Sequence, residues 1–288
     1  MSEKIAIVGV GYAGFSPLTP EVSYKELMYE AAVKAYEDAG VNPRRDVRSF
    51  VTVAEDFIEG TSIFDEYVPD QLGGVLKPNV TIPGEGIHGL ATAYMQIASG
   101  IVDVAVVEAH SKASNVLTLP HITAYAMDPV LNRPLAANPV FIAGLEMNRY
   151  LYVTGATREQ CALVVAKNKG NALYNPAAAY GAAIEPEDVL HSEMVAYPLT
   201  RQDISPHADG AIVLVLAAAD VAESLTDMPI WIRGIGWAIE SYEMGAKDLA
   251  EIPSLAAAAQ RAYQMAAIRH PLDELDLAEV HELSLIHI

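Results

Sequence analysis

The stretch from Val80 to Ala109 constrains this chain most, because its residues read in succession as strand, turn, helix and strand. Val80, Thr81 and Ile82 form a short β-type run that Pro83 and Gly84 stop. After the polar turn Gly84-Glu85-Gly86-Ile87-His88-Gly89, the residues Leu90, Ala93, Tyr94, Ile97 and Ala98 recur at helical spacing, and Gly100 marks the predicted helix end. Val102, Ala105, Val106 and Val107 then form a nearly unbroken apolar run, which suits a strand covered on both faces. The pattern predicts a βαβ unit. In such a unit the first turn brings helix N-terminal N–H groups to the carboxyl edge of the sheet, where a nucleophile, a phosphate or an oxyanion can be held.

Composition narrows the partners. In 288 residues, 18 Lys and Arg stand against 37 Asp and Glu, a formal charge of -19, which argues against nucleic acid and anionic membrane surfaces. A hydrophobic content of 52% supplies a large core for one large domain or two packed ones. The single cysteine, Cys161, leaves no disulfide framework and no CxxC motif. Charges follow at once after Met1, and no apolar run reaches bilayer length, so the reading is a cytoplasmic protein without signal peptide or membrane span.

Elsewhere the pattern alternates. Ile5 to Val8 reads as a buried strand leading into Gly9-Val10-Gly11-Tyr12-Ala13-Gly14, which satisfies GxGxxG. A dinucleotide turn should run straight into a helix, but the helical pattern starts only near Ser23, with Leu27, Ala31, Ala32 and Ala35 on one face and Gly40 as its stop. Close backbone packing is the alternative use of these glycines. Val47 to Val53 reads as a second strand, followed by the adjacent carboxylates Glu55 and Asp56, either catalytic or part of a solvated loop. Residues 57 to 79 hold no clear period.

From 110 to about 205 prolines break the chain into short pieces around one predicted helix, Thr157 to about Leu173, with Thr157 and Gln160 as a capping box. Cys161, in its first turn, reads as a small apolar filler rather than a nucleophile. Ala211 to Ala218 and Ile230 to Trp237 read as strands, Ser254 to Ala267 as a helix, and Leu275 to Val280 as a further strand ending at His281-Glu282. That order echoes the opening of the chain and suggests a duplicated fold with an incomplete second copy.

The pieces IAIVGVG, IASG, VAKNKGNALYNPAAAYG (165–181), YPLTRQDISPHADGAIVLVLA (197–217) and DLAEVHE (276–282) together resemble the thiolase superfamily, in its archaeal and sterol-carrier-protein-x-like acetyl-CoA acetyltransferase branch. The resemblance implies an α/β thiolase fold, a five-layer αβαβα sandwich of two similar halves. Residues 1–218 would form the first half, with a loop domain inserted at about 110–205, and 219–288 the start of an incomplete second half. It implies an acyl-CoA thioester as substrate or ligand, with no separate cofactor or metal, a role in lipid metabolism, and a homodimer. In the archaeal branch it also implies association with a small OB-fold and zinc-ribbon protein and with a related synthase.

Family members that catalyse acyl transfer carry a cysteine at the turn before the central helix, whose N-terminus lowers the thiol pKa. Here that turn holds no cysteine. Gly84, Glu85, Gly86 and Gly89 are therefore the expected ligand-binding residues and His88 the expected proton donor or CoA contact, with a solvated turn histidine as the alternative. His281 matches the first residue of an HD or NE motif that helps to form an oxyanion hole. The family's GHP histidine and second cysteine are not in the sequence, and Leu283 to Ile288 reads as the tail of a fragmentary reading frame. The segment Glu108-Ala109-His110-Ser111-Lys112 replaces a glycine-containing one. Three functions follow as expectations: an acyltransferase-like protein that binds acyl-CoA without thiolase activity, a non-catalytic scaffold or binding subunit, and, on the GxGxxG pattern alone, a nicotinamide-dependent oxidoreductase.

Overall fold

The computed structural model describes residues 4–54, 64–116, 119–125, 127–241 and 243–280. In chain order the elements are β1 (Ile5–Ser16), α1 (Tyr24–Ala39), β2 (Ser49–Val53), α2 (Phe64–Tyr67), α3 (Pro69–Leu72), β3 (Asn79–Ile82), α4 (Gly86–Ala98) and β4 (Val104–Ser111). Then come α5 (Leu119–Tyr125), α6 (Pro139–Thr154), α7 (Arg158–Ala172), α8 (Pro186–Leu190), β5 (Met194–Ala196) and β6 (Leu199–Thr200). The chain continues through β7 (Asp209–Ala218), α9 (Ala219–Leu225), β8 (Ile230–Ile232), α10 (Pro253–Ala266) and α11 (Pro271–Glu274). Two compact units are built from these. The first takes Met1–Leu117, Ala208–Trp237 and Ala258–Ile268, and the second takes Thr118–His207, Ala238–Ala257 and Arg269–Ile288.

The first unit holds a six-stranded sheet in the order β3-β2-β4-β7-β1-β8. β2 pairs in parallel with both β3 and β4, so β3, α4 and β4 form the crossover unit expected from sequence. β7 runs antiparallel to β4 and β1. Because successive side chains of a strand point to opposite faces, the sheet has two cores. Phe50, Val104, Val106, Val213 and Val215 pack under α1 on one face, and Val51, Ala105, Val107 and Leu216 pack under α4 on the other. Ser23 caps α1 in a capping box with Glu26, and Gly40 ends it in the left-handed conformation.

The glycines of the GxGxxG pattern lie inside β1 and not at a strand-to-helix turn. A Cβ on Gly9 would sit 2.5 Å from the Ala35 carbonyl oxygen, and one on Gly11 2.1 Å from that of Ala31. Their missing side chains let α1 lie directly on the strand, which is the packing use of glycine.

In the second unit α6, α7, α8 and β6 surround a small core of Met147, Cys161, Ala162, Val165, Val189 and Leu199. Thr157 and Gln160 form the expected capping box of α7. The sixteen-residue α6 was not legible among the prolines: Pro139 sits in its first turn, where a missing N–H costs nothing, and Asn138 caps it. Two other expectations fail. Ile230 to Trp237 is a strand only as far as Ile232, because Gly234 and Gly236 then press against the carbonyl oxygens of Ala262 and Ala258 instead of joining a ladder. Leu275 to Val280 forms no strand, since no neighbouring strand among the described residues offers it a ladder. Residues 64–72 hold two short helices where no period was visible.

Candidate functional site

The turn between β3 and α4 gathers five of the predicted residues. Gly84 has φ 128°, a backbone state that a side chain would strain, and it turns the chain sharply off the strand. Glu85 is the N-cap of α4, in extended conformation. Its backbone N–H donates to Nδ1 of His88 at 3.2 Å. An imidazole nitrogen that accepts carries no proton, so the neutral ring bears its hydrogen on Nε2, which stays a donor. Thr92 Oγ1 donates to the His88 carbonyl at 2.9 Å and steadies the first helical turn. Glu85 is exposed, and Gly84, Gly86 and His88 are half-buried.

The two later glycines work differently. Gly89 is buried, and a Cβ there would lie 2.3 Å from Val53 Cγ2 and 3.1 Å from Val107 Cγ1, so it brings α4 down onto β2 and β4. Gly86 lies over Ala109, whose methyl group a Cβ would meet at 3.3 Å, with no other described atom within 4 Å of it outside its chain neighbours and the helix backbone. Beside the Glu85 carboxylate, which closes a capping box onto the His88 N–H, the turn presents the remaining N–H groups of the first turn of a thirteen-residue helix and one imidazole donor, a set that suits a developing-anion oxygen. It contains no thiol. Cys161 is 8% exposed in the core of the second unit, where burial first and the Asp203 charge second push its thiol pKa up, away from reactivity. His281, Glu55 and Asp56 lie outside the described residues.

Sequence reasoning missed a polar cluster on the α1 face of the sheet. Lys112 and Asp209 are buried and paired at 2.6 Å. The Asp209 carboxylate also accepts from Thr19 N at 2.9 Å, Thr19 Oγ1 at 2.8 Å, Ser114 N at 3.2 Å and Ser114 Oγ at 2.6 Å. Lys112 Nζ donates in addition to the Thr19 carbonyl at 2.7 Å. Burial alone would raise the Asp209 pKa, but the bonds from Lys112, Ser114 and Thr19 together hold it down at about 2. Nearby on β4, Glu108 Oε1 and His110 Nδ1 meet at 2.9 Å with both side chains fully buried, and the Tyr24 ring stacks on the imidazole at 5.4 Å. Burial, and then the charge of Glu108, raises the pKa of Tyr36, whose hydroxyl donates to the Leu72 carbonyl. The signal was present: a glutamate straight after the apolar run Val104 to Val107 must be paired or lie at an edge. Among the described residues no group of three His, Cys, Asp or Glu could hold a metal ion, and no helix is long and apolar enough to cross a membrane.

No family model matches the chain. It is 30% identical over 284 residues to an acetyl-CoA acetyltransferase of Methanothermobacter thermautotrophicus, covering 96% of this chain and 73% of that protein. It is 27% identical over 257 residues to a 17-hydroxy-3-oxo-4-pregnene-20-carboxyl-CoA lyase of Mycobacterium tuberculosis, covering 85% of this chain and 66% of the lyase. Among solved structures, an Ltp2-ChsH2(DUF35) aldolase superposes with a TM-score of 0.76 at 24% identity, over 93% of this chain and 70% of that one.

Proposed function

This chain belongs to the thiolase superfamily and has its α/β fold, and from that premise we propose that it binds an acyl-CoA thioester at the turn between β3 and α4 without forming an acyl-cysteine. One observation carries the reading: the helix N-terminus and its donors are in place, while the turn from Pro83 to Gly89 holds no thiol. In this reading the thioester carbonyl oxygen lies against the N–H groups of the first turn of α4, and His88 donates to it through Nε2. Gly84 and Gly86 let the ligand approach the backbone, Glu85 fixes the imidazole through its N–H, and Gly89 sets the helix height above the sheet. From the family resemblance alone, His281 is proposed as an oxyanion-hole donor.

The cysteine-free turn also favours a second reading, cleavage of a carbon–carbon bond in a β-hydroxyacyl thioester. Such a step needs no acyl-enzyme. A base takes the β-hydroxyl proton, the C–O bond becomes a carbonyl, and the electrons of the α–β bond pass into a thioester enolate, which is then protonated. A lyase and an aldolase among the similar proteins support it. A non-catalytic acyl-CoA-binding subunit is the remaining alternative. The proposed setting is cytoplasmic lipid metabolism in a homodimer. The Ltp2-ChsH2(DUF35) aldolase supports a DUF35-type partner, and the branch resemblance supports a small OB-fold and zinc-ribbon protein and a related synthase.

Calorimetric titration with CoA, acetyl-CoA and NAD, together with intact-mass analysis after incubation with acetyl-CoA, tests the proposal. Saturable binding of the two CoA species, none of NAD, and no mass increase are expected. A stable acetyl adduct, or binding of NAD alone, overturns it. Release of a ketone or aldehyde from a β-hydroxyacyl-CoA distinguishes the lyase reading from a silent binding subunit.

A further inference from the structure

The solvent side of α1 carries a feature that the thioester turn does not use. The helix buries Leu27, Met28, Ala31, Ala32, Ala35 and Tyr36 on the sheet, and its other side faces α3 and the loop after Gly40. Two adjoining hollows of about 450 and 500 Å³ lie there, and both have Tyr29, Asp70 and Gln71 in their walls. The floor of the first is apolar, from Val33, Val41, Pro43 and Leu72. Fixed parts build the groove: the Tyr36 hydroxyl donates to the Leu72 carbonyl at 2.8 Å and ties α3 to α1. Tyr29 nevertheless stands 58% exposed at its centre. An exposed tyrosine over an apolar floor is the usual make-up of a binding hot spot.

The rim is acidic. Glu26, Glu30, Glu37 and Asp70 stand against Lys25 and Arg44. Lys25 is turned to aromatic rings, its Nζ 5.2 Å from the Tyr67 ring centre and 5.9 Å from that of Tyr24. Glu26 is engaged in capping Ser23, and Glu30 is paired with Lys34. Glu37 and Asp70 are left as the carboxylates that face an incoming group.

We propose that this groove docks a basic, apolar segment of a partner protein, with Tyr29 as the central contact and Glu37 and Asp70 pairing with lysine or arginine of that segment. Charge decides among the occupants. Nucleic acid and anionic lipid would meet four carboxylates. A second copy in a two-fold contact would bring the same carboxylates face to face in a chain of net charge -19. The groove lies on the α1 side of the sheet and the thioester turn on the α4 side, so the inference does not rest on the function proposed above.

The test is fluorescence anisotropy on the full chain with a fluorescein-labelled synthetic peptide of mixed lysine, leucine and tryptophan, and with the same peptide carrying glutamate for lysine. Tyr29→Ala and the double variant Glu37→Lys/Asp70→Lys probe the groove. Asp220→Lys/Glu223→Lys, on the exposed side of α9, makes the same charge change elsewhere in the unit. The lysine peptide is expected to bind the parent and the α9 variant with equal affinity, to weaken at least about tenfold on both groove variants, and to slow amide hydrogen exchange over residues 24–44 and 69–74. Absence of binding, binding of the glutamate peptide, or an equal loss in the α9 variant overturns the proposal, the last showing only diffuse attraction to an acidic protein. Concentration-dependent dimerisation abolished by Tyr29→Lys also overturns it, in favour of a second copy.

Discussion

Asp209→Asn is expected to destabilise the first unit by about 3–5 kcal/mol, the cost of removing one side of a buried ion pair. The Asp209 side chain is fully buried, and every group bonded to its carboxylate is a donor: the Lys112 ammonium, and the backbone N–H and side-chain hydroxyl of Thr19 and of Ser114. An amide in its place must aim its own N–H₂ at one of these donors and leaves the ammonium without its carboxylate. Lys112→Met removes one donor of five and should cost less, about 1.5–3 kcal/mol. The double variant Lys112→Met/Asp209→Leu should regain part of the loss, as apolar replacements of buried pairs do. The sign with pH follows from the depressed pKa. A carboxyl held at about 2 instead of 3.8 contributes about 2 kcal/mol that is fully present above pH 3.8 and is lost as pH falls through 2. Urea unfolding followed by circular dichroism, on parent and variants from pH 7 down to pH 2, measures both quantities. The reasoning is refuted if Asp209→Asn shifts stability by less than about 1 kcal/mol, if Lys112→Met is the costlier change, or if the gap between parent and Asp209→Asn does not narrow in acid.

Gly11→Ala should lower stability by about 1–3 kcal/mol or more, because its Cβ would press on the Ala31 carbonyl and lift α1 from the sheet; thermal melts decide it. Gly89→Ala should act in the same way through Val53 and Val107, whereas Gly86→Val, at a half-buried position over Ala109, should chiefly weaken CoA binding, and paired melts and calorimetry separate the two. Thiolysis and condensation assays with acetyl-CoA should show no turnover above a buffer blank in the parent or in Cys161→Ser. Turnover lost in that variant would assign the reaction to the one thiol that the structure buries.

Local pattern was enough where an element is defined by its own residues. The capped start of α1 at Ser23, the capping box of α7 at Thr157, and the strand, turn and helix from Val80 to Ala98 are legible because caps and turns are made by side chains a few residues apart. The absence of a thiol from the turn needed no structure either. What the tertiary structure alone decided depends on partners distant along the chain. Whether Gly9 and Gly11 hold a cofactor or a helix depends on α1 lying across them. Whether Ile230 to Trp237 or Leu275 to Val280 becomes a strand depends on a neighbour offering a ladder, which β1 does for three residues of the first and no described strand does for the second. Lys112 meets Asp209 across 97 residues, and only where β4 and β7 lie side by side can two residues that composition would assign to the surface become a buried ion pair.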